Sequence, residues 1–257
     1  MSPQIQNLQQ AIFATLCYFD IFDYPLTEFE VWRWLFWPNG SATPTQVIQE
    51  LERMLRDQKI HTKNGFFFLP NRADTVASRL GRHSRNIANW KKSQKIFSYL
   101  SQVPYFQAAA LCNMFSLNNQ KETSDIDVFI VTAKDRIWST RAIVTLLTWL
   151  RGQWRHGDKI AKRFCLSFYV TEDNLDLSFM RREPYDIYLA YWIATLAFVK
   201  DSEVSKKFFE ANKWVNEFLP NFRPRQEISY HRSRAPFFSK VAQLEEKIWI
   251  TGLGKLR

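Results

Sequence analysis

Asp125 and Asp127, two carboxylates one residue apart, are the side chains in this sequence best placed to do chemistry. They stand in Ser124-Asp125-Ile126-Asp127-Val128-Phe129-Ile130-Val131-Thr132, whose β-branched and aromatic content predicts a strand. Alternate side chains of a strand share a face, so both acids project together. Neighbouring like charges repel, and a site that keeps both ionised holds a divalent cation, Mg²⁺ or Mn²⁺, with phosphate oxygens and water completing its shell. Asp-x-Asp spacing is common, and the same pair also reads as ordinary solvated acids. Other chemistries lack their residues. His61, His83, His156 and His231 are too scattered for a metal set, and Cys17, Cys112 and Cys165 sit among apolar neighbours without ligand spacing. No Ser-His-Asp or Cys-His arrangement emerges.

The elements around the acids can be read from periodicity. Before them, Ala108-Ala109-Ala110-Leu111-Cys112 forms an apolar segment that ends in a polar turn. After them, a helix is predicted from Ile137 to about Trp154, followed by a strand at Arg163-Phe164-Cys165-Leu166-Ser167-Phe168-Tyr169-Val170-Thr171. In that strand, alternation sets Cys165, Ser167 and Tyr169 against Phe164, Leu166, Phe168 and Val170. Tyr185 to Val199 is apolar almost all round and predicts a buried helix, with an amphipathic helix from Ser205 to Leu219 and a short one near Phe238 to Ile250.

Upstream, Ile5, Leu8, Ile12, Leu16 and Phe19 mark one face of a first helix. Thr27 caps a second, with Glu30 completing a capping box, and Thr43 or Thr45 opens a third that runs to Gln58. The runs Lys59 to Thr62 and Gly65 to Leu69 flank Lys63-Asn64 as a hairpin. Three helices and a hairpin resemble the winged-helix variant of the helix-turn-helix family, although Glu50, Glu52 and Asp57 make the third helix a poor DNA-reading surface. A long basic helix, Asp74 to Leu100, leads from this unit to the next.

Strand, turn, then Ser-Asp-Ile-Asp on a second strand resembles the DNA polymerase beta-like nucleotidyltransferase superfamily over roughly Phe106 to Asp176. The whole chain resembles a bacterial group of nucleotidyltransferase-domain proteins with an N-terminal winged-helix-like region. The resemblance implies an α+β fold with a mixed sheet and flanking helices. It implies a winged-helix-like domain over 1–72, a basic connecting helix over 73–103, a nucleotidyltransferase-like domain over 104–180, and C-terminal helices with a basic tail over 181–257. It further implies transfer of a nucleoside monophosphate from a nucleoside triphosphate to an acceptor hydroxyl, with Asp125 and Asp127 as catalytic metal ligands and Ser124 leading into them. Where the family carries Gly-Ser at a phosphate-holding turn, this chain has Asn113-Met114, with Ser116, Asn118 and Asn119 nearby as substitutes. The family's third carboxylate falls on Ser167, and Glu172 and Asp173 follow just beyond the strand. Lys159, Lys162 and Arg163 are the expected phosphate cations.

Composition bounds the alternatives. The 257 residues carry a net charge of +10, concentrated in three places: Arg72 to Lys95, Arg151 to Arg163, and a third group holding Arg223, Arg225, Arg232, Arg234 and Lys240. Such clusters attract nucleic acid, nucleotide or an acidic membrane surface, or serve as a solvated basic face. No secretory leader or run of roughly 20 apolar residues is present, and cysteine usage suits a reducing compartment, so a cytoplasmic location is expected. Two further readings remain open: a catalytically degenerate relative that binds nucleotide or nucleic acid, and a membrane-peripheral or protein-binding module built on the basic tail. The oligomeric state is not legible.

Overall fold

A computed structural model of the chain describes residues 5–38, 40–182, 185–200 and 202–224 and is mixed α+β with two sheets. The N-terminal unit runs α1 (Leu8–Asp20), β1 (Leu26–Thr27), α2 (Glu28–Arg33), α3 (Pro44–Arg56), β2 (His61–Lys63) and β3 (Phe66–Phe68). Local chemistry sets these boundaries. The Asn7 side chain caps α1 by accepting from the Gln10 amide, and reciprocal capping boxes open α2 (Thr27 with Glu30) and α3 (Thr43 with Gln46). Asn64 and Gly65 both take positive φ, 53° and 76°, the geometry a two-residue hairpin demands, and β3 then pairs with β2 on one side and β1 on the other.

A 27-residue helix, α4 (Asp74–Leu100), connects this unit to the second sheet. That sheet is built from β4 (Phe106–Leu111), β5 (Ile126–Thr132), β6 (Phe164–Thr171) and β7 (Ala197–Lys200), in the order β6-β5-β4-β7. β4 is antiparallel to both β5 and β7, and β5 is parallel to β6, with α6 (Ile137–Leu150) in the β5–β6 connection. One turn, α5 (Asn113–Ser116), follows β4, and α7 (Ile187–Thr195) and α8 (Ser202–Ala211) flank β7.

Two apolar layers hold the sheet. On one face Ala108, Ala110, Phe129, Val131 and Phe198 join a cluster that continues through α7 and α8 into α1 and α3. On the other, Ala109, Leu111, Ile126, Val128, Ile130 and Phe164 pack against Ile96, Phe97 and Leu100 of α4 and Val144 of α6. Phe129 is fully buried with Phe168, Trp192, Phe198 and Phe208 around its ring. The three alanines of β4 let both layers approach the backbone closely.

Two features depart from the sequence reading. The apolar run expected as one buried helix ends at Thr195 and becomes the edge strand β7, which supplies hydrogen-bonding partners to β4. Within β6, the register shifts between the pairs Asp127↔Cys165 and Phe129↔Phe168, so β6 carries an extra residue there. Phe164 and Leu166 therefore face one layer, while Phe168 and Val170 face the other, instead of sharing a side. The basic tail, including Arg225, Arg232, Arg234, Lys240 and the helix expected over 238–250, lies outside the described residues.

Candidate functional site

Asp125, the residue before β5, and Asp127, its second residue, stand at the N-terminal end of that inner strand, beside α5 and β6. Asp125 and Asp127 project on one side, and Cys165, the register partner of Asp127 on β6, joins them. One ligand atom from each of Asp125, Asp127 and Cys165 lies within 4.8 Å of the other two. Cys165 was not singled out by sequence, but both it and Asp127 are the second residue of their strands, which begin paired at Ile126↔Phe164. Ser167, expected beside the acids, has its Oγ 3.3 Å from the Cys165 Sγ and shares a cavity lining with Asp127.

Each carboxylate already has an organic donor. Arg155 Nη1 lies 2.6 Å from Asp125 Oδ2 and 3.5 Å from Cys165 Sγ, and Asn113 Nδ2 donates to Asp127 Oδ2 at 2.7 Å. The Cys165 hydrogen bond and the Asp125 charge both hold the Arg155 guanidinium further toward its protonated form. Asn113 takes a left-handed φ of 55°, as Asn can, and so turns its amide back toward β5. The base of the site is anchored from behind: Gln120 donates to the Asp125 carbonyl, and Asn89 on α4 donates to Gln120 Oε1 at 3.1 Å.

Beside Asp127 opens a cavity of about 240 Å³ whose lining includes Asn113, Ser167, Phe168, Tyr188 and Trp192. Burial, then the charge of Asp127, raises the Tyr188 hydroxyl above its ordinary value, and the same two causes keep the Cys112 thiol protonated. A larger cavity, about 980 Å³, lies between α1 and Trp37 and has no carboxylate in its described lining.

The other expected site residues scatter. Met114 packs toward Tyr18 and Phe22, away from the acids, and Ser116 is buried with Oγ donating to the Asn113 carbonyl at 2.7 Å. α5 is a single turn, too short to seat a phosphate by its dipole. Ser124 and Lys162 meet through backbone, Lys162 N donating to Ser124 O at 2.8 Å. Lys159 lies in an exposed turn, and Arg163 Nη1 is turned onto the Gly152 carbonyl. Glu172 and Asp173 follow the far end of β6, roughly 20 Å from Cys165 at about 3.3 Å per residue, and Asp173 pairs with Lys134. They cannot stand in for a third carboxylate.

The basic face of α4 is also largely spoken for. Arg72 binds Asp20 and Asp23 at 2.8 Å each, Arg79 binds Glu30 at 2.7 Å, and Arg82 binds Asp23 at 3.1 Å and the Asn119 side chain. Lys92 Nζ donates to the Lys162 carbonyl at 2.7 Å. Arg72, Arg79 and Arg82 are thus ion-paired to the N-terminal unit and Lys92 reaches the site's rim, while Lys91 and Lys95 are exposed. The Arg82 hydrogen bond, outweighing burial, holds the Asp23 carboxyl below its ordinary range.

The donor set fits a divalent cation: two carboxylates converge, and a thiol shares their space. Asp125 and Asp127 would hold it, and Arg155 competes for the same Asp125 oxygen. Arg155 is 43% exposed, and such pairs contribute about 0.2–1 kcal/mol. Arg155→Ala should therefore tighten Mn²⁺ binding about two- to fivefold by calorimetric titration; unchanged or weaker binding would show that the guanidinium does not compete. No known protein family, curated protein or solved structure matches this chain.

Proposed function

We propose that the chain is a DNA polymerase beta-like nucleotidyltransferase that moves a nucleoside monophosphate from a nucleoside triphosphate to an acceptor hydroxyl. The observation that carries this reading is the convergence of Asp125 and Asp127 at the start of a strand flanked by an antiparallel neighbour and a parallel one, with the β4–α5 turn reaching Asp127 through Asn113. In the transfer, the acceptor hydroxyl gives up its proton to solvent, its oxygen bonds to the α-phosphorus, the bond from that phosphorus to the α–β bridging oxygen breaks, and pyrophosphate leaves. A divalent cation on Asp125 and Asp127, Mg²⁺ or Mn²⁺, would neutralise phosphate charge. Asn113 fixes the Asp127 rotamer, the aromatic side of the cavity takes a planar or apolar portion of a substrate, and Lys159 and Lys162, both exposed near the β6 entrance, supply positive potential.

A second reading, a relative that binds nucleotide without transferring it, is favoured by Cys165 standing where a third carboxylate would complete the set and by Arg155 occupying Asp125. Under either reading we take the N-terminal unit as winged-helix-like; three helices with a small sheet of order β1-β3-β2 support this, and Glu50 and Glu52 on α3 favour packing or protein contact over DNA reading.

Ligand-induced stabilisation tests the site. Mn²⁺ with a nucleoside triphosphate at a hundredfold excess over Kd should stabilise the parent by about 2.7 kcal/mol in thermal unfolding and leave Asp125→Asn/Asp127→Asn unmoved. An equal shift in both proteins removes these residues from the site. Transfer of labelled nucleotide to a panel of hydroxyl acceptors then separates the two readings.

A further inference from the structure

α6 buries only half of itself. Thr140, Val144 and Thr148 face the sheet, while Trp138, Ala142, Leu146, Trp149 and Leu150 face outward. Trp138 is 78% exposed and Trp149 is 53% exposed. The stripe is ordered: Trp138, Ala142, Thr145 and Trp149 follow at four, three and four residues, which aligns them along one side of a helix. At about 1.5 Å per residue, the two indoles stand roughly 16 Å apart along the axis. The surface between them is shallow, with Arg141 and Trp154 also in its lining.

The charge beside this stripe has one sign. From Ile137 to Arg163 the chain carries Arg141, Arg151, Arg155, Lys159, Lys162 and Arg163 against the lone acid Asp158. Arg141 lies over the Trp138 and Tyr169 rings and so borders the apolar strip, while Arg151, exposed at the C-cap of α6, lies over Tyr99 of α4. A second copy placed face to face would bring these cations onto their own counterparts. Nucleic acid could stack on the two indoles but would leave the exposed aliphatic Leu146 and Leu150 in water, where an acyl surface buries them.

We propose that the outer face of α6 docks on an anionic lipid surface, with the helix lying in the plane of the membrane. Trp138 and Trp149 enter the headgroup boundary, Leu146 and Leu150 reach the acyl region, and Arg141 and Arg151 contact lipid phosphates. The sheet and the acids at the end of its inner strand lie behind the helix, so docking leaves the nucleotide reading of the site untouched, and neither proposal depends on the other.

Co-sedimentation of the full chain with vesicles tests this. Binding should be strong on vesicles of phosphatidylglycerol and phosphatidylcholine and weak on phosphatidylcholine alone. Trp138→Ala/Trp149→Ala should lower the partition coefficient by at least about tenfold. Arg141→Gln/Arg151→Gln should lower it roughly fivefold for each cation removed and erase the preference for anionic lipid. All four positions are exposed, so the unfolding midpoint should not move, and the arginine pair keeps the test open if the tryptophan pair fails to fold. Undiminished binding by both double variants would place the attraction elsewhere in the chain and overturn the proposal. So would equal binding to neutral vesicles, a dimer abolished by the tryptophan pair in the absence of vesicle binding, or binding of RNA and not vesicles that the variants lose.

Discussion

Arg79→Ala should lower the stability of this protein by about 3–5 kcal/mol in urea unfolding at neutral pH, because it strips a largely buried carboxylate of its counter-charge. Arg79 holds Glu30 with both nitrogens, Nη2 to Oε1 at 2.7 Å and Nη1 to Oε2 at 2.8 Å, and also donates to the Pro25 carbonyl. Its guanidinium carbon sits 3.9 Å from the Tyr24 ring centroid and 4.7 Å from that of Phe66. Side-chain exposure is 14% for Arg79 and 20% for Glu30, so solvent screens the pair weakly. Glu30 is also the capping residue of α2 and accepts from the Tyr24 hydroxyl at 3.2 Å, so one substitution loosens the α4 contact, the α2 cap and an aromatic stack together.

The pH dependence has a definite sign. Burial alone would raise the Glu30 carboxyl, but the hydrogen bonds and charge of Arg79, with help from Thr27, outweigh it and hold it below its ordinary 4.5. A folded value depressed in this way contributes stability that is fully present above the unfolded value and is lost as pH falls through the folded one. In Arg79→Ala burial acts on Glu30 without that opposition, and the carboxyl rises. The parent and the variant should therefore differ most at neutral pH and converge in acid below about pH 4. Arg79→Met/Glu30→Gln, which removes both charges and keeps the packing volume, should recover most of the loss. A loss under about 1 kcal/mol would mean that water reaches the pair after all.

That ion pair illustrates what could and could not be read from the chain. The Thr27–Glu30 capping box and the Thr43 cap are local, set by residues three apart, and both form as expected. The long helix α4 and a strand over Ile126–Thr132 beside the acids also form as expected, and so does the hairpin, although its turn falls at Asn64-Gly65 and not at Lys63-Asn64. The role of Arg79 is not local: its partner is 49 positions away, and a run of cations looks identical whether it faces water or a buried acid. The strand β7 was hidden for a different reason. An all-apolar run has no alternation to distinguish helix from strand, and only the need of β4 for an edge partner decides it. At the site, strand alternation put the acids on one face and set Cys165 and Ser167 together; the family resemblance singled out Ser167, whereas the register pairs Cys165 with Asp127. The extra residue in β6 is a property of how two strands pair, so no pattern within β6 alone reveals it.

Cys165→Asp carries the largest expected effect on activity. Cys165 is the direct register partner of Asp127 across the parallel β5–β6 pair, and its sulfur shares the 4.8 Å cluster with both carboxylates. An aspartate there adds a third carboxylate from the same backbone position, at little steric cost because the site is half-buried and the Asp side chain is only slightly larger than Cys. The site then carries three negative charges against the one positive charge of Arg155, 2.6 Å from Asp125, so negative charge is left over to bind a divalent cation. A positioned general base contributes typically 10²–10⁴-fold, so transfer of labelled nucleotide to a hydroxyl acceptor should rise by about that factor over the parent. Ser167→Asp should achieve less, since Ser167 falls in the irregular stretch of β6 and is not the register partner of Asp127. Equal gains from the two variants would refute the placement drawn from strand register. Tighter Mn²⁺ binding by Cys165→Asp without transfer would assign the loss of catalysis to the β4–α5 turn as well, where Met114 packs inward and Ser116 spends its hydroxyl on the Asn113 carbonyl, and would establish the chain as a nucleotide-binding relative. Strong transfer by the parent that Cys165→Asp abolishes would instead make the thiol itself part of the working site.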